Sequence, residues 1–166
     1  MKKTILPFIM ALVATPLFSQ DGNRSIGIGL QSSFPTYGIS ARASVTERIQ
    51  GQAILAPFGG KAGSVGYSVT FYGLRGIYRF TDVDRSAVPY GFAGAGLIRS
   101  KFNFGSTSTA TNLLGWNVGA GVELFPGFLD NMGASIEIGY GALSVSALGA
   151  SFASITYGFG LHYYFN

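Results

Sequence analysis

The sequence has no cysteine, a single histidine, a single tryptophan and few charges. Without cysteine there is no disulfide framework, thiol nucleophile, Cys-based metal site or lipoprotein anchor. One histidine, His162, leaves one ready general base at neutral pH, and no cluster has metal-ligand spacing. Charged residues make up 11% of the chain, well under the ~25% of ordinary soluble domains. No Lys/Arg cluster marks a nucleic-acid surface, and none of the residues calls for a cofactor. Also lacking after residue 20 is any apolar run near the ~20 residues that a membrane-spanning helix needs, although 48% of the residues are hydrophobic. High apolarity without such a helix leaves a buried all-β core or a barrel in lipid. Glycine, in contrast, is abundant at 25 of 166 residues, about twice the ~7% norm. It recurs at every second position in several segments, which argues against helix.

The N-terminus carries its own signal. Lys2 and Lys3 precede an apolar segment from Ile5 to Phe18, too short for a stable span and patterned as a cleaved signal peptide. The expected division is 1–19 signal peptide, cut near Ser19 or Gln20, and 20–166 as one domain; the rival is a retained anchor helix. Loss of Lys2 and Lys3, with no acid removed, takes the net charge from +4 to +2.

Two-residue periodicity dominates the rest. From Ser154 to Phe165, Ile155, Tyr157, Phe159, Leu161, Tyr163 and Phe165 alternate with Ser154, Thr156, Gly158, Gly160, His162 and Tyr164. Similar alternation starts at Ser25 and spans Gly115–Phe125 and Gly133–Leu143. Further strands are expected at Thr36–Val45, Gln50–Phe58, Ser68–Phe80 and Tyr90–Phe102. In the third of these, Val69 and Phe71 are out of phase with Tyr72, Leu74, Tyr78 and Phe80, which predicts a bulge near Phe71–Gly73. In the fourth, Leu97 shares a face with Arg99 and Lys101. The total is about eight strands, an all-β, antiparallel, up-and-down barrel. Turn chemistry marks short connections at Thr46–Ile49, Thr81–Ala87 and Pro126–Met132. Loops rich in Gly, Ser, Thr and Ala are expected opposite, at Ser33–Pro35, Gly59–Tyr67, Asn103–Asn112 and Ser144–Phe152.

Residue size decides which face meets what. A barrel of about eight strands is only wide enough inside to be filled by side chains. The bulky set could not all fit there, whereas the Gly/Ser/Asn set could. Large apolar residues outside and small polar ones inside is the pattern of a barrel in lipid. Aromatics near strand ends, Tyr78, Phe80, Tyr90, Phe125, Phe128 and Tyr163, are then expected in interfacial girdles.

On these residues the chain resembles the small outer-membrane β-barrel family of opacity-protein and OmpA/OmpX-type barrels. Val88-Pro89-Tyr90-Gly91-Phe92-Ala93-Gly94-Ala95-Gly96-Leu97 is similar to the family's Pro-Tyr strand with alternating glycines, and Gly115-Trp116-Asn117-Val118-Gly119-Ala120-Gly121-Val122-Glu123 to the strand after it. Gly160-Leu161-His162-Tyr163-Tyr164-Phe165 resembles the aromatic last strand read by the barrel-assembly machinery, although Asn166 follows where members commonly end on the aromatic. The Leu-Phe-Ser-Gln end of the leader is similar to Bacteroidetes signal peptides. The resemblance implies a Gram-negative outer-membrane location, contact with outer-membrane lipids and lipopolysaccharide, Tyr163 and Phe165 as the assembly signal, and a monomer. It identifies an architecture rather than an activity.

The residues offer little chemistry. Lipid A deacylase-type barrels are similar in size and use a histidine with a serine two residues on; here that place holds Tyr164. No Ser/His/Asp set is legible, so the expectation is not an enzyme. Arg42, Arg75, Glu123 and Glu137 all fall on the inward face, where isolated charge is costly, and so are expected to pair as a network plugging the lumen. A structural, envelope-integrity or surface-interaction role is expected. The rivals are a narrow pore or transporter, a lipid-modifying enzyme and a soluble periplasmic binding barrel.

Overall fold

The computed structural model describes residues 25–82, 86–105, 107–127, 131–145 and 150–165. The expected signal peptide, Phe128 and Asn166 lie outside these. Eight strands follow in chain order: β1 Ile26–Ser33, β2 Thr36–Ser44, β3 Ile49–Ala62, β4 Val65–Arg79, β5 Ala87–Phe104, β6 Thr107–Leu124, β7 Met132–Val145 and β8 Ala150–Phe165. Each pairs antiparallel with the next, and β1 pairs with β8 from Ile26↔Phe165 to Ser33↔Gly158, closing the ring. Closure removes every free strand edge, the condition for β-structure where no water is available to the backbone.

The alternation sorts the side chains as their sizes require. Outward positions such as Leu30, Leu74, Ile136 and Tyr157 are exposed, while Gln31, Ser40, Gln52, Thr156 and His162 are buried inside. The interior still takes Ile77, Val88, Tyr90, Phe92 and Tyr164. Glycines facing them make the room: a Cβ on Gly27 would lie 2.8 Å from the Tyr164 ring, one on Gly121 2.8 Å from Tyr90, and one on Gly119 2.8 Å from Phe92.

The two ends differ. Both described termini and the β2–β3, β4–β5 and β6–β7 connections lie at one end, close to the expected turns. At the other end the expected loops are largely strand. β3 and β4 stay paired up to Ala62↔Val65, β5 and β6 up to Phe104↔Thr107, and β7 and β8 up to Val145↔Ala150. Gly63 and Gly105, at φ 60° and 55°, supply the left-handed conformation that tight hairpin turns need. Gly, Ser and Thr there mimic loop composition, yet a hairpin whose ladder is already in register extends readily, and Thr is a good strand residue.

A second departure concerns phase. No bulge interrupts residues 71–73: β4 keeps continuous register with both β3 and β5. Instead the faces exchange character part-way along the long strands. On β4, outward Tyr78, Leu74 and Tyr72 give way to Thr70 and Ser68, while inward Arg79 and Arg75 give way to Phe71 and Val69. On β5, outward Leu97 is followed by Arg99 and Lys101, and inward Gly96 by Ile98, Ser100 and Phe102. The strand does not shift; its surroundings do.

Candidate functional site in the barrel lumen

Inside the lumen, towards the end with the termini, polar side chains converge from opposite walls. Arg42 on β2 reaches across the ring to Glu123 on β6, Nη1 to Oε1 at 2.9 Å, and both side chains are essentially fully buried. The Tyr164 hydroxyl donates to the same Oε1 at 2.7 Å and accepts from Arg42 Nη1 at 3.1 Å. Arg42 Nη2 donates to Gln31 Oε1 at 3.0 Å, and Gln52 Nε2 donates to that oxygen at 3.2 Å and to Ser40 Oγ at 3.1 Å. Ser40 and His162 share a hydrogen bond. Burial charges heavily for unpaired ions, so such convergence is what keeps the charged forms tolerable.

A second cluster repeats the arrangement. Arg75 on β4 meets Glu137 on β7, Nη2 to Oε1 at 2.9 Å, again with both side chains buried. The Tyr90 hydroxyl donates to Glu137 Oε1 at 2.7 Å, and the Arg75 guanidinium lies over the Phe92 ring, 4.1 Å from its centroid. Space comes from glycine once more. A Cβ on Gly94 would come within 2.4 Å of Arg75 Cγ, one on Gly158 within 2.6 Å of Glu137 Oε2, and one on Gly133 within 2.8 Å of Glu123 Oε1.

Both mouths carry bulk. At the end with the termini, Val88, Phe125 and Tyr164 pack together, the two rings 5.7 Å apart. Towards the other end the β1–β2 turn folds inward, and Pro35 and Thr36 are buried. A Cβ on Gly73 or Gly96 would meet Thr36, one on Gly115 would meet Pro35, and one on Gly141 would meet Phe34. Asn117 Nδ2 donates to the Phe34 carbonyl oxygen and to Ser33 Oγ, tying the turn to β6.

The four charged residues singled out from the sequence thus come together as two cross-lumen pairs. Arg79 was not anticipated; it is buried in the same phase as Arg75 and Ile77, and that two-residue spacing was the available signal. Tyr78, Phe80 and Tyr163 point outward near the end with the termini, with Tyr78–Phe80 and Tyr163–Phe165 ring pairs at 5.7 and 5.2 Å. Tyr90 and Phe125 correct the girdle expectation. At 1% and 5% exposure they sit inside, because Tyr90 shares the phase of Val88 and Phe92 and Phe125 falls one residue out of phase with outward Leu124. His162 is fully buried, and among the described residues no group of three or more His, Cys, Asp or Glu could hold a metal ion.

No protein-family model and no curated protein matches the sequence. Solved structures do. The chain is similar to the N-terminal β-barrel domain of Pseudomonas aeruginosa OprF, at 18% identity over 86% of this chain and 99% of that one, with a TM-score of 0.55. It is equally similar to Ail, the attachment invasion locus protein of Yersinia pestis, at 18% identity over 87% and 99%, with a TM-score of 0.53. The fold is that of the small outer-membrane barrels. Ail has also been solved in complex with the heparin analogue sucrose octasulfate. At this identity the likeness speaks for architecture, and the work of this barrel has to be argued from its own residues.

Proposed function

We infer that this chain is a Gram-negative outer-membrane protein, exported by a cleaved signal peptide, with a structural, envelope-integrity or surface-interaction role and a plugged lumen. The observation that carries the reading is the filled interior: two buried ion pairs join opposite walls, between the Val88–Phe125–Tyr164 cluster and the inward β1–β2 turn. Struts of this kind fix barrel closure and register rather than conduct, since removing one partner strands the other. The outward belt of Ile, Leu, Tyr and Phe supports lipid and lipopolysaccharide as its surroundings. Tyr163 and Phe165 on the last strand are the assembly signal, and the barrel works as a monomer. A base as deeply buried as His162 supports a non-enzymatic role.

A narrow pore is the second reading. Arg75 Nε and Nη1 and Glu137 Oε2 have no protein partner among the described residues, leaving polar positions along the lumen. The outer-membrane reading is tested by cell fractionation followed by gels of unheated and heated samples. The protein is expected in the outer-membrane fraction, with migration that changes on heating. Recovery from the periplasm without detergent would contradict it.

A further inference from the structure

The exchange of faces described above puts three cations on the outer wall at the hairpin end. Lys61 on β3 is in outward phase with Leu55, and Arg99 and Lys101 on β5 with Leu97. Lys61 and Arg99 are exposed, Lys101 is half-buried, and none has a carboxylate partner among the described residues. The sequence itself denies them one. Of its seven acids, Glu123 and Glu137 belong to the lumen, and the rest precede β1 or fall in the β2–β3, β4–β5 and β6–β7 connections at the opposite end. Closure of the ring fixes the height of the three cations. The pairing row that begins at Leu30 on β1 passes through Leu55, Leu97 and Leu114 and reaches β8 at Ser151, whereas Leu30 itself pairs with Leu161, ten residues lower. A row thus climbs by a little over one residue per strand. Lys61 stands six residues above that row on β3, and Arg99 and Lys101 stand two and four above it on β5. The climb between β3 and β5 brings all three level, with Ser68 of β4 between them.

Height and direction specify the partner. The outward face of β5 from Ala87 to Leu97 rises about 33 Å along the strand, or about 25 Å along the barrel axis at a tilt of ~40°. That is the full height of a lipid-facing band, and Arg99 follows at once. Strand side chains stand roughly perpendicular to their sheet, so these cations point sideways into the layer around the barrel rather than into the water beyond its tip. At this level that layer is headgroup, where the acidic group is phosphate. A guanidinium forks onto two phosphate oxygens, and lysines add point charge. Two strand spacings put β3 about 10 Å from β5, a gap that Lys61 and the pair on β5 can close on one group. We propose that the β3–β5 sector of the outer wall holds the anionic phosphate headgroup of an outer-leaflet lipid, between Lys61 and Arg99–Lys101. No other charged residue occurs in the β1–β2 turn, in β6 before Glu123 or in β7–β8 between Glu137 and His162, so the lipid is held on one side of the barrel. The proposal rests on the membrane reading above, and its test separates the two.

The test uses the full chain in phosphatidylcholine vesicles doped with dibrominated phosphatidylglycerol or dibrominated phosphatidylcholine, whose bromines quench indole fluorescence at contact. Trp116, outward on the belt, reports on the membrane reading: both lipids quench it. Two further proteins carry a single indole in a Trp116→Phe background. One has Leu114→Trp, whose position pairs with Leu97 just below Arg99, and the other Ile155→Trp, exposed on β8 outside the sector. At residue 114 the anionic lipid quenches at a roughly fivefold lower mole fraction than the zwitterionic one, and at residue 155 the two quench alike. Lys61→Gln, Arg99→Gln and Lys101→Gln together remove the preference at 114, while quenching at 155 continues to show an inserted barrel; Arg99→Lys alone keeps most of it. If neither lipid quenches Trp116, the membrane reading falls and the proposal with it. If Trp116 is quenched but the lipids act equally at 114, or the preference is the same at 155, or it survives the three Gln substitutions, the site is overturned while the membrane reading stands. Loss of the preference in inorganic phosphate but not in chloride of equal ionic strength shows that the sector takes the free anion and overturns a lipid partner.

Discussion

Removing one carboxylate from the lumen should cost far more than removing an ion pair. Glu137→Ala is the sharpest case. Its Oε1 accepts from Arg75 Nη2 at 2.9 Å and from the Tyr90 hydroxyl at 2.7 Å, with both members of the pair nearly inaccessible. Without Glu137 the Arg75 charge is left with the face of Phe92 at 4.1 Å, a contact worth about 2 kcal/mol even when desolvated. The stranded charge then destabilises the barrel by about 3–5 kcal/mol, with roughly 1 kcal/mol more from the orphaned phenol. Arg75→Met combined with Glu137→Leu leaves no charge to strand and is expected within about 1–2 kcal/mol of wild type. The assay is reversible denaturant unfolding of the refolded protein in vesicles, run as a double-mutant cycle over both residues. Coupling of about 2 kcal/mol or more is expected. If the single losses are small and simply add, the lumen screens its charges as bulk water does, and the strut argument is refuted.

The remaining expectations concern the two faces and the last strand. Ile136→Arg or Val118→Arg, on exposed outward positions, should lower stability in vesicles by roughly 2–4 kcal/mol, whereas Ser135→Ala, a small change on the inward face, should be nearly silent; equal unfolding midpoints would reverse the assignment of faces. Gly94→Val should overpack the lumen against Arg75 at a cost of about 1–3 kcal/mol, while Gly76→Ala, with nothing within 4 Å of its added carbon, should unfold at or above the wild-type midpoint. Phe165→Ser should reduce outer-membrane yield and deletion of Asn166 should not, measured on the same fractionation gel; equal yields would remove Phe165 from the assembly signal.

Most of the barrel could be read from the sequence because each strand through the belt needs a different neighbour on each side, and period-two alternation records that directly. Ile155 to Phe165 is the clearest instance. What misled was the assumption that one face keeps one environment along a whole strand. Val69 and Phe71 looked out of phase with Tyr72 and Leu74, and Leu97 looked misplaced beside Arg99 and Lys101. Both pairs of observations record the level at which the outward face turns polar and the charged plug stops being inside. Strand ends were hidden for a related reason, since Thr, Ser and Gly in residues 105–112 resemble a loop until the partner strand is known. The candidate site was legible in its charges and not in its partners. Arg42, Arg75, Glu123 and Glu137 could be placed inside by phase alone, but which arginine meets which glutamate depends on opposition across the ring. Tyr90 and Tyr164, which bind those glutamates, carry no signal to separate them from girdle aromatics beyond the phase of their strands.

Planar-bilayer recording of the purified wild-type protein tests the closed lumen most directly. With two buried ion pairs across the bore and both mouths occupied, insertion is expected to leave the membrane without steady unitary current. Stable single-channel steps that persist in the wild type, with conductance altered by Glu137→Gln, would show a continuous water path through the barrel and contradict the account.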